Sequence, residues 1–128
     1  MKVKNVLRFY YCADSLERTF DRLILKQAYS SAGRSCEECA EKICTLISEK
    51  SELSALWAYI NEIISHLSAE VQSALERYAR LRCGIKRLTA EETRALKRAV
   101  MAFTRRARRL ESFESGLAIV GKYYCVTG

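Results

Sequence analysis

The chain has no proline, five glycines, one histidine and no long unbroken apolar run. Each absence removes a class of protein. Turns and hairpins recruit proline, so its absence argues against a loop-rich β fold. A lone histidine, His66, leaves no imidazole cluster for a metal centre. A membrane span needs ~20 consecutive apolar residues, and no stretch approaches that length. Paired carboxylates, a Gly-rich phosphate loop, a nucleophile elbow and an HExxH motif are all missing, so no enzyme chemistry or small-molecule substrate is indicated.

What is present points to a folded helical protein. The 128 residues are 49% apolar and 29% charged, with a net charge of +7. That apolar fraction is too high for a disordered chain, and the length suits one domain. The start, MKVKNVLRFYYCADSLERTF, is basic, but Arg8 and Asp14 interrupt any apolar signal region. A cytoplasmic location is therefore expected. The six cysteines (12, 36, 39, 44, 83 and 125) are then expected as thiols rather than a disulfide framework.

Apolar spacing is helical almost throughout. Residues 2–31 carry Val6, Tyr10, Ala13, Phe20, Ile24 and Gln27 at three- and four-residue steps, beside Leu7, Leu16 and Leu23. This predicts one helix stopped by Gly33. Ser35 and Glu38 form a capping box for the next segment. Cys39, Ala40, Ile43, Leu46 and Ile47 share one face, and Leu53, Leu56, Trp57, Ile60, Ile63, Ile64 and Leu67 share another in nearly continuous register. One long helix or two, divided at Ser48–Ser51, fit equally well. Ser68 is a candidate N-cap for a helix burying Val71, Leu75, Tyr78 and Leu81, ended by Cys83-Gly84. Thr89 and Glu92 form a second capping box. A helix over 90–114 then turns Leu96, Val100, Phe103, Ala107 and Leu110 inward. Gly116 and Gly121 are expected to loosen the apolar tail LAIVGKYYCV, which must pack on the bundle or on a second copy. The expected architecture is all-α. It is a single domain, with an antiparallel helical hairpin over 1–67 and a smaller basic helical head and apolar tail over 68–128.

Charge is unevenly spread along this chain. Residues 1–36 carry +4, residues 37–76 carry −6, residues 77–109 carry +10 and residues 110–128 carry −1. Ten of the twelve cations in the third window are arginine, whose planar fork suits bidentate contact with phosphate. At ~100° per residue, Arg94, Lys97, Arg98, Arg105, Arg108 and Arg109 fall in a sector of about 120° opposite the apolar face. Arg106 adjoins it. These seven residues are the candidate nucleic-acid-binding set, with the DNA phosphate backbone as the expected partner. Three other uses of the charge are open to the same residues: an ordinary solvated face, internal pairing with the acidic segment 37–76, and a membrane-surface helix. The last fits poorly, because the apolar face is mostly alanine, valine and single aromatics. A protein partner or a homodimer formed through the tail is the main alternative function.

Cys36-Glu-Glu-Cys39 begins a helix, where thiolates are stabilised. A structural zinc site wants four ligands, and the second pair is missing. The adjacent glutamates oppose thiolate formation, so core packing is the preferred role, and no cofactor or metal is assigned. His66, near a helix end, needs no role beyond the helix dipole.

The stretch from Ile43 to Arg80, with L-W-A-Y-I-N-E-I-I-S-H-L-S-A-E-V-Q-S-A-L-E-R-Y-A-R, resembles the middle of phage late transcription regulators of the ArpU/RinA type, short helical proteins similar to sigma region 4. The resemblance implies DNA binding and transcriptional control. It also implies a helix-turn-helix after the RY helix. Here Cys83–Leu88 leads straight into the arginine-rich segment, and that motif is not evident.

Overall fold

The computed structural model describes residues 3–29, 36–80 and 89–124. Within them the chain forms α1 (Val3–Tyr11), α2 (Ala13–Tyr29), α3 (Cys36–Ser65), α4 (Ala69–Arg80), α5 (Ala90–Arg106) and α6 (Glu114–Tyr124). A 3-10 turn over Leu110–Phe113 leads into α6. No strand occurs among the described residues, and the fold is an all-α bundle. Gly33, Ser35, Leu81, Cys83, Gly84 and Cys125 lie outside the described residues, and with them the expected helix stops and the first capping box.

The α2–α3 hairpin is antiparallel. Lys50 of α3 pairs with Asp21 and Glu17, while Trp57 and Asn61 meet Tyr10. Partner numbers fall in one arm as they rise in the other. Residues 36–65 form one continuous helix, with no break at Ser48–Ser51. Ser54 returns its hydroxyl proton to the Lys50 carbonyl at 3.1 Å, a local bond that a helix accommodates without ending.

The single helix expected over 2–31 divides at Cys12, and the cause is tertiary. The indole Nε1 of Trp57 donates to the Tyr10 carbonyl at 3.0 Å, and the two rings stack with centroids 5.2 Å apart. In an uninterrupted helix that carbonyl would serve the amide four residues on. Ser15 instead closes a tight turn by donating to the Cys12 carbonyl at 3.1 Å. The Tyr10 hydroxyl donates to Asn61 Oδ1 at 2.5 Å and the Tyr11 hydroxyl to the Gln72 carbonyl at 3.3 Å. Burial raises both phenol pKa values, and that of Tyr11 reaches about 12 with help from the neighbouring Tyr10 and the Glu76 carboxylate.

This joint lets α1 leave the hairpin and enter the centre of the bundle, against α3, α4 and α6. Val6, Leu7 and Phe9 are buried there. One apolar cluster joins Phe20, Leu56, Ile60, Leu75, Phe103, Leu110 and Val120, so the hairpin and the head share a single core. Expected core positions Leu53, Leu56, Ile60, Ile63, Ile64, Leu75, Leu96, Phe103, Ala107 and Leu110 are buried, and Val100 and Tyr78 partly so.

The tail is another correction. Gly116 and Gly121 do not loosen it, because α6 runs through both. Gly116 is buried where a Cβ would lie 3.3 Å from Leu56 Cδ2, so glycine permits close approach of α6 to α3. Ile119 and Val120 are buried within the molecule's own core. The described part of the tail is thus consumed by the bundle.

Candidate nucleic-acid interface

The interface is built on α5. Thr89 caps the helix, its hydroxyl oxygen accepting from the Glu92 amide at 3.2 Å. Glu91 and Glu92 occupy the first turn, where the dipole favours acids. Leu96, Ala99 and Phe103 turn inward, and α5 rests mainly on α4. That seating leaves the opposite face free.

All seven candidate cations, Arg94, Lys97, Arg98, Arg105, Arg106, Arg108 and Arg109, are exposed. The acidic segment does not cover them. The described ion pairs lie elsewhere: Lys50 with Asp21 at 2.7 Å and Glu17 at 3.7 Å, Arg80 with Glu76, and Lys122 with Glu49. The hydrogen bond and nearby charge of Asp21 raise the Lys50 pKa, an effect confined to the hairpin. No described ion pair reaches the α5 set.

The helix expected over 90–114 ends at Arg106, which corrects the stripe. The Ala107 amide still donates to the Phe103 carbonyl at 2.8 Å, but the next bonds tighten, with Leu110 donating to Ala107 and Ser112 to Arg109. Neither proline nor glycine causes this. Arg105 faces both Arg108 and Arg109 at helical spacing, and Arg106 faces Arg109. Like charges so placed each cost a helix ~0.2–0.5 kcal/mol. Turning there also seats Leu110 in the core and brings Phe113 within 4.7 Å of Tyr59.

The seven cations therefore form two groups. Arg94, Lys97, Arg98 and Arg105 share one straight helical face, about 16 Å long at 1.5 Å per residue. Arg106 lies aside from that face, and Arg108 and Arg109 belong to the corner beyond it. One uncharged side chain sits inside the straight face between Arg94 and Arg105. It is Met101, 55% exposed, and the sequence reading did not single it out. Its position on the helical wheel was the signal that could have found it.

The remaining candidates stay apart from this face. Cys39 is buried in the bundle, Cys44 is exposed on α3, and His66 is exposed in the turn after α3. Among the described residues, no three His, Cys, Asp or Glu side chains converge as a metal ion would require. A cleft of about 260 Å³ beside the α1–α2 joint is walled by Phe9, Leu16, Phe20 and Trp57, with Glu17 and Lys50 pairing across its rim. No helix among the described residues is long and apolar enough to cross a membrane.

No protein-family model, curated protein or solved structure matches this chain.

Proposed function

We propose that this protein is a non-enzymatic nucleic-acid-binding protein that grips the DNA phosphate backbone through the outer face of α5. The observation that carries this reading is the exposed one-sign face of Arg94, Lys97, Arg98 and Arg105, reached by no described ion pair. Free arginine forks on a rigid helix suit phosphate oxygens. Such contacts position a protein on DNA without reading its sequence. The resemblance of Ile43–Arg80 to phage late transcription regulators supports transcriptional control as the process, in the cytoplasm.

The test is a titration of duplex DNA at several salt concentrations. Four phosphate contacts release condensed counterions, so affinity should fall on the order of a hundredfold between about 50 and about 200 mM salt. Reversing Arg98 and Arg105 to glutamate should reduce binding and flatten that dependence. Absence of a complex at low salt, or salt-independent binding, would overturn the reading.

Self-association is a second reading, and the observation favouring it lies at the far end of the hairpin. Leu25, Tyr29 and Ile47 are exposed there, Tyr29 at 85%. Light scattering of the wild-type chain and of Leu25→Glu/Ile47→Glu decides it: a dimer that the double variant dissolves supports this reading, and a monomer removes it.

A further inference from the structure

Met101 occupies an unusual position for an exposed thioether. On a helix, the residues that adjoin position 101 on the same face are 97, 98, 104 and 105. Three of these are Lys97, Arg98 and Arg105, and the fourth is Thr104. All four are exposed. By helical rotation, Arg94, Met101 and Arg105 lie within about 40° of one line, with Lys97 to one side and Arg98 to the other. The face thus has cationic flanks and a central row that is cationic at its ends and apolar in the middle.

A polyanion that satisfies the flanking cations must cover Met101. What it places there depends on its shape. The B-DNA major groove is ~12 Å wide and admits one α-helix. A helix seated in it sends its flanking side chains, and the long arginines at the two ends of its central row, to the phosphates, and the middle of that row to the base edges. The only apolar group that base pairs present on that floor is the C5-methyl of thymine. The 17 residues of α5 and its exposed outer half meet the size and access requirements of such seating.

We infer that α5 enters the major groove of duplex DNA and that Met101 packs against a thymine methyl group. This inference rests on the proposed phosphate-gripping role of the same face. It adds a base contact where that reading has only backbone contacts.

The test uses the full chain and repeating duplexes, so no binding register needs to be known. Affinity for (dA-dT)n is compared with that for (dA-dU)n of equal length, which lacks only the methyl groups. A methyl-bearing (dG-5-methyl-dC)n is compared with (dG-dC)n. The methylated member of each pair should bind about fourfold more tightly, the ratio corresponding to ~0.8 kcal/mol for one buried methyl group. Met101→Gln preserves side-chain length and should remove that ratio while leaving the salt dependence unchanged. Salt-dependent binding that is indifferent to the methyl groups would overturn the base contact and leave the phosphate reading standing. So would a methyl preference that survives in Met101→Gln, or tighter binding to single-stranded RNA. No binding to any duplex would overturn the phosphate reading itself.

Discussion

α3 and α5 are both long helices that bury apolar residues, yet they use charge in opposite ways. On α3 the signs mix, and two of its ions are tied into the fold: Lys50 spans to Asp21 and Glu17 of α2, and Glu49 pairs with Lys122 of α6. On the outer face of α5 from Arg94 to Arg105 one sign stands alone, with no described ion pair. Charge on α3 therefore helps register one helix against another. The cations of that face make no described ion pair with the bundle and stand available to an external anion.

The comparison can be broken most forcefully at the α3 core. Leu56 is fully buried, so Leu56→Ala should cost about 2–5 kcal/mol by denaturant unfolding, through lost transfer energy and a residual cavity. Arg98→Glu/Arg105→Glu should instead stay within ~0.5 kcal/mol of wild type, as surface substitutions do. The same double variant should lower the slope of log affinity against log salt by about two. A large loss of stability in that variant would show that α5 charge is structural and would erase the contrast.

Smaller effects sharpen it. Gly116→Val pushes a branched side chain into Leu56 and should cost about 1–3 kcal/mol, with α6 partly displaced from α3. The α1–α2 joint should show in alkali. Tyr11 keeps its proton in the folded chain up to about pH 12, whereas the unfolded chain releases it near ~10. Between those values the native state holds more protons, so stability falls as pH rises and levels off above the upper value. The melting temperature of Tyr11→Phe should decline less steeply across that window. The half-buried Lys50 titrates in the same direction, its stabilising pair with Asp21 being present at neutral pH and lost as the ammonium deprotonates. Lys50→Met should give the smallest change in melting temperature of the series.

The all-α class was legible in the residues because it rests on local periodicity. Inward positions such as Leu56, Ile60, Phe103 and Leu110 follow from three- and four-residue spacing, and the Thr89–Glu92 cap follows from side-chain chemistry. The cations of α5 were legible as a one-sign run, but their exposure depends on α4 packing against the apolar face of α5 and leaving the charged face uncovered. Both helix breaks escaped, since neither has a proline or glycine. The first is made by Trp57, 47 residues from the carbonyl it captures. The second combines arginine repulsion with the pull of Leu110 and Phe113 toward α3. Gly116 misled for a related reason: a glycine that serves close helix approach looks, in sequence, the same as one that loosens a chain.

The placement of α1 has a kinetic consequence. It is near the start of the chain, yet its apolar residues are covered by α4 and α6 as well as by α3. During synthesis the α2–α3 hairpin can form while α1 still lacks most of its cover. Only when residues near Val120 have emerged can the centre of the bundle close. Although α1 is made before every helix that covers it, it is thus among the last of the six described helices to be secured.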